Sequence, residues 1–187
     1  MSAAIEQAAA HTRRWIERFV VGLELCPFAA PTLSDNTLRI AVCDKTAEEE
    51  LAKALLEELD LLQREPESEV STSVLVFQKA LADFDDYLDF LGLAEALLEE
   101  CGLEGVVQIA SFHPDYCFEG VPADDAANAT NRSPYPMLHF IREAALTRAL
   151  AHYPDPEDIP QRNIDRLRAL GADAIAELRA RIRAETR

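Results

Sequence analysis

An α/β fold is the class this chain predicts, with a small, at least partly parallel sheet of about three strands, helices packed on it and a helical C-terminal extension. Two observations carry the expectation. Three short β-rich runs alternate with amphipathic helical segments in the order α-β-α-β-α-β. One of those runs, Ser73-Val74-Leu75-Val76-Phe77, is continuously β-branched and aromatic, as expected of a strand covered on both faces.

Taken in order, Ile5, Ala8, Thr12, Trp15, Ile16, Phe19, Val20 and Leu23 recur at helical spacing and predict a first helix that stops before Pro27. Leu38, Ile40 and Val42 alternate with Thr37, Arg39 and Ala41, the period of a half-buried strand ending at Cys43. Thr46 stands three residues before Glu49, a capping-box pattern, and Leu51, Leu55, Leu59 and Leu62 follow on one helical face.

The second strand, 73–77, leads into a third helix. Its stripe is Phe84, Tyr87, Leu88, Leu91, Leu98 and Cys101, with Asp83 as N-cap and Gly102 in the left-handed position that ends it. Gly105 to Phe112 predicts the third strand. After a loop over 113–136, Met137 to Leu150 has the composition of a helix closed by Pro154 and Pro156. Pro160 suits the first turn of another helix that stops at Gly171, and Ala172 to Glu185 predicts the last. The organisation expected is an α/β core domain over 1–153, which includes the 113–136 loop, and a helical extension over 154–187 packed on it.

The chain has 187 residues, 49% of them hydrophobic and 28% charged, which suits a folded protein with a sizeable core. A net charge of -16 weighs against nucleic acid and anionic lipid as partners, because both are themselves negative. No run approaches the length of a membrane span, and the N-terminus has no basic stretch followed by an apolar one. Four widely spaced cysteines, with no Cys-x-x-Cys pair, fit reduced thiols in a cytoplasmic protein. The arginines of the last two helices are expected to solvate helix faces or to pair across the fold.

The stretch from Ser111 to Tyr116, with Asn131 to Pro136, places His, Asp, Arg and Tyr where there is little apolar periodicity. Long irregular loops inside a compact domain usually bind something. His113 follows a strand directly, at the edge where open α/β sheets hold ligands, and Asp44 and Gln78 are expected at the same edge. Asp115 and Tyr116 are close enough in sequence to orient an imidazole or wall a pocket. Asn131, Arg132 and Ser133 precede the helix expected at 137, whose free N–H groups would attract an anion, and Tyr135 would line the same site. His139 and Glu143 would share a helical face.

Cys26 stands at the end of the first helix, where it is a nucleophile only if a cation or histidine lowers its pKa. The structural alternatives are plain: His113-Pro114 as a turn, Ser133 as a helix cap, Arg132 paired with a carboxylate, Cys26 as a small core hydrophobe. Cys26, His113, Asp115, Cys117 and His139 are all metal-ligand types, but their spacing follows no zinc pattern, so no metal is assigned.

Four runs together resemble a known family: Trp15 to Phe28 with its Gly-Leu-Glu-Leu-Cys-Pro-Phe ending, Gln108 to Tyr116, Asn131 to His139, and Asp158-Ile159-Pro160-Gln161-Arg162-Asn163. The family is a bacterial one, domain of unknown function 1415. The resemblance implies a bacterial, cytosolic, single-domain protein and carries no activity, cofactor or catalytic residue.

The expectation from the residues is therefore an enzyme, a hydrolase or transferase acting on a small anionic metabolite at an acyl, thioester or phosphoryl centre. His113 would be the general acid or base, Asp115 its orienting partner, Cys26 the nucleophile and Arg132 the anion clamp. A non-catalytic binding or interaction module, or a metal or haem protein, is the competing expectation. No motif specifies a cofactor or an oligomeric state.

Overall fold

The computed structural model describes residues 2–151 and 153–185, and its centre is a four-stranded mixed sheet in an α/β fold. The strands are β1 Leu38–Cys43, β2 Thr72–Phe77, β3 Val107–Phe112 and β4 Met137–Arg142, in the spatial order β1-β2-β4-β3. β1 and β2 pair in parallel, whereas β4 is antiparallel to both β2 and β3. The first three strands thus run one way, and β4 runs back between the second and third.

β4 corrects the sequence reading, which made Met137 to Leu150 one helix: only Glu143–Leu150 is helical. The residues of β4 have good helix propensity, but Leu138 and Phe140 turn to one side of the sheet and Met137, His139 and Ile141 to the other. Strands β2 and β3 each need a partner for their inward edges, and pairing of β4 with both outweighs the local preference. His139 and Glu143 consequently do not share a helical face.

One side of the sheet is covered by two long helices, α3 Glu48–Arg64 and α4 Phe84–Glu100. Leu51, Leu55, Leu59 and Leu62 of α3 pack with Leu75, Phe77, Leu138 and Phe140 of the sheet, and Phe90 of α4 meets Phe77 edge-on at 5.2 Å. The capping box expected at Thr46 does not form. Ala47 is the N-cap and makes no side-chain bond, and Glu48, Glu49 and Glu50 complement the positive helix end instead. Asp83 does cap α4, accepting from the N–H groups of Asp85 and Asp86, and Gly102 ends it at φ 68°.

A polar lock fastens this layer. Arg39 of β1 donates twice through Nε and once through Nη2 to the buried Glu58 carboxylate of α3, and the Ser73 hydroxyl of β2 donates to the same group.

The other side is covered by α1 Ala3–Trp15, α6 Ile159–Leu170 and α7 Ala172–Ala184. α1 continues as a π-helical segment over Ile16–Val21 and turns at Gly22, where an added Cβ would lie 2.3 Å from the Arg18 carbonyl oxygen. Trp15, Phe19, Leu25, Val74, Val76, Leu167, Ile175 and Ile182 form the second core. The α6 helix starts with Pro160 in its first turn and ends at Gly171, φ 85°, as its sequence predicts. Asn163 ties α6 to the chain after α1 through a 2.7 Å bond to the Leu25 carbonyl. The short α2, Ala29–Ser34, carries Pro31 and was not expected from the sequence.

Candidate functional site

The 113–136 loop closes the carboxyl edge of the parallel strands with its own hydrogen bonds. His113 is wholly buried: its Nδ1 accepts from the Asp115 backbone N–H at 3.1 Å, so Nε2 carries the proton and donates to the Leu81 carbonyl at 3.0 Å. Its ring packs 5.1 Å from both Phe84 and Tyr87. Asp115 orients this imidazole with its backbone, not with the carboxylate the sequence suggested.

Arg132 donates to the carbonyls of Tyr116 and Ala123 at 2.9 and 2.7 Å. Asn131 donates to Ser111 O, Ser133 to Tyr135 O, and the Tyr116 hydroxyl meets that of Ser111 at 3.2 Å. Because β4 follows Pro136, no helix starts there, and the dipole-based anion seat expected at Asn131 to Ser133 does not form. The other residues expected at this edge are also engaged: Asp44 pairs with Lys79, and Gln78 donates to Ala4 O.

The hollow lies elsewhere, on the sheet face toward the amino ends of β1 and β2. A cavity of about 500 Å³ lies between the sheet, the end of α1 with its π segment, α2, and the helix α5 Glu143–Leu150. That volume falls within the usual range of small-molecule sites, roughly 300–1,000 Å³. Of the residues singled out in the sequence it brings together Cys26 and His139, whereas His113 and Arg132 are not among its walls. Most of the surface is apolar, including Trp15, Val74, Phe112 and Met137. Two wall elements are unusual: α2 and α5 bury no residue at all. Ala145, Leu146 and Ala149 of α5 face this hollow without being packed under protein.

Among the polar residues of the wall, Thr72 and His139 form one bonded unit. The Thr72 hydroxyl lies 2.7 Å from both His139 Nε2 and the Phe140 carbonyl oxygen. A carbonyl only accepts, so the single hydroxyl proton goes to Phe140, and the imidazole must donate from Nε2 to Thr72. The one hydrogen bond given for the His139 ring among the described residues is at Nε2, so Nδ1 keeps its lone pair. Burial alone pushes the His139 pKa down to about 4, so the ring is neutral at pH 7 although it touches the cavity.

Burial likewise raises the Cys26 thiol, outweighing the backbone N–H groups of Phe28 and Ala29, which pull the other way. The sulfur is therefore held as S–H and is a poor nucleophile. Around the cavity stand Asp35, which is exposed, and Glu67, which pairs with Arg148.

Tyr135 lies outside this cavity and meets the ring of His11 edge-on at 5.5 Å. Among the described residues no group of three or more His, Cys, Asp or Glu side chains is gathered to hold a metal ion, and no helix is long and apolar enough to cross a membrane. Sequence reasoning missed Thr72, Trp15 and α5 as cavity walls. The available signal was the apolar Ala145-Leu146 and Ala149 stripe on a helix with no obvious partner.

No curated protein and no solved structure matches the chain. A family model described as "Protein of unknown function (DUF1415)" matches residues 7–177, nearly the whole sequence, and the chain belongs to that family.

Proposed function

We propose that this protein binds a small, neutral, mainly apolar molecule that carries one hydrogen-bond donor, such as a hydroxyl or N–H group. The observation that carries this reading is the cavity of about 500 Å³, whose mainly apolar wall carries the imidazole lone pair left over by the Thr72–His139–Phe140 chain. An apolar ligand would cover the Ala145, Leu146 and Ala149 surface of α5 and the facing surface of α2, which the protein itself leaves unburied. His139 Nδ1 would accept the ligand's donor and fix its orientation.

Binding suits these groups better than covalent catalysis. An imidazole that protonates only near pH 4 is a weak base at neutral pH, and a thiol held in its protonated form does not attack readily. The exposed carboxylate of Asp35 also makes this cavity a poor entrance for the anionic substrate expected from the sequence.

Trp15 is the single tryptophan of the chain and lines the cavity, so its fluorescence reports occupancy directly. Titration with 4-propylphenol is expected to change that signal saturably with one site per chain, and Ala145→Phe, which fills the wall from α5, is expected to abolish the change. A linear, unsaturable response, or a saturable one that Ala145→Phe leaves intact, would overturn the proposal.

A further inference from the structure

We infer that a second, polar cavity between α1, α7 and the Pro134-Tyr135 segment is a binding site for the phosphoryl group of a small metabolite. Its volume is about 310 Å³, and it is lined by Gln7, His11, Arg14, Pro134, Tyr135 and Arg183. Two guanidinium groups, an imidazole, an amide and a phenol thus surround one space, with no carboxylate among them.

The chain carries -16 overall, yet none of the ion pairs of the described residues involves Arg14, Arg183, Arg179 or Arg132. Arg132 and Arg179 donate to backbone carbonyls, which carry no formal charge. Arg179 is held below its usual value first by burial and then by Arg132 and Arg183, with Asp115 opposing. Burial, then Arg14 and Arg183, likewise keep His11 below its ordinary value. The nearby Glu185 is turned to Arg18, at 3.9 Å.

Arg14 supplies an independent observation. Its Nε is buried with no hydrogen-bond partner among the described residues, an arrangement that costs free energy and leaves the guanidinium without a compensating acceptor inside the protein. The helix dipole does not account for it, because α1 continues past Arg14 into the π segment and residue 14 is not at a free helix end. Two guanidinium forks with the Tyr135 hydroxyl and Gln7 amide offer more donors than the two oxygens of a carboxylate can satisfy, which favours a phosphoryl group. The small volume and the negative charge of the rest of the surface disfavour a polyanion.

The test follows the His11 imidazole by NMR in the full chain while inorganic phosphate is added at constant ionic strength, with acetate in parallel. Phosphate is expected to raise the His11 pKa saturably, to raise the melting temperature over the same concentration range, and to act at roughly tenfold lower concentration than acetate. Arg183→Gln, at an exposed position, is expected to weaken the phosphate response about tenfold, and Arg14→Gln with Arg183→Gln to remove it. No saturable change at His11, the same change in the double variant, or an acetate response equal to that of phosphate would overturn the assignment.

Discussion

At the carboxyl edge of β1, β2 and β3, the 113–136 loop places its polar side chains against its own backbone; on the sheet face toward the opposite end, short helices leave an apolar wall uncovered. His113, Asn128 and Ser133 are all at 0% exposure and all bonded within the protein. His139, with one ring nitrogen bonded and one not, faces a cavity. The difference teaches that residue type announces capacity for chemistry, while the surroundings decide whether that capacity is used up inside the protein or left for a ligand.

Substitutions sharpen this contrast, beginning with the loop. His113→Ala removes a buried ring, two hydrogen bonds and contacts to Phe84 and Tyr87, and is expected to cost about 4 kcal/mol in chemical denaturation. A loss below about 1 kcal/mol would mean that His113 does not hold the loop against the sheet edge.

The next effect is pH-dependent. His139 ionises near pH 4 in the fold against an ordinary value of 6.5, so between those values the unfolded chain binds a proton that the native chain refuses. Stability from this group is therefore fully present above pH 6.5 and falls as the pH drops toward 4, by about 3 kcal/mol in all. His139→Gln should flatten the pH dependence of unfolding by that amount. An unchanged slope would show that the ring is not held neutral by burial.

Asn128 accepts from the Phe118 N–H and donates to Pro122 O within the loop, and Asn128→Ala is expected to cost about 2 kcal/mol. On the cavity side, Ala145→Phe should change stability by less than about 1 kcal/mol, because the added ring enters empty space and not packed core. A large destabilisation would imply that α5 is packed more tightly than its lack of buried residues indicates. The thiols give the smallest readout. Exposed Cys101 should alkylate well ahead of Cys26 at pH 7.5, and the reverse order would restore Cys26 as a nucleophile.

Elements written in local pattern were legible in the sequence. Asp83 and Gly102 bracket α4, Pro160 and Gly171 bracket α6, and the uninterrupted 73–77 run is the fully covered β2. β4 was not legible because its helix-favouring composition is overruled by two neighbours distant in sequence: Ile141 pairs with Thr72 on one side and with Gln108 on the other.

The site was harder still. Cys26 and His139 were identified as chemistry-bearing residues, but the cavity they share is defined by missing packing, which no local pattern records. The 2.7 Å contact that sets the tautomer of His139 joins it to Thr72, a residue on another strand. Arg132 illustrates the converse: the guanidinium is where the sequence placed it, but the backbone carbonyls it binds cannot be read from residue names.

The most direct measurement compares 4-propylphenol with its methyl ether by Trp15 fluorescence, in the natural chain and in His139→Phe. The phenol should bind roughly tenfold more tightly than the ether to the natural chain, the effect of one well-placed hydrogen bond, and equally with it to the variant. Equal binding of the two to the natural chain, or no saturable binding of either, would contradict the proposal that this cavity receives an apolar ligand through the free nitrogen of His139.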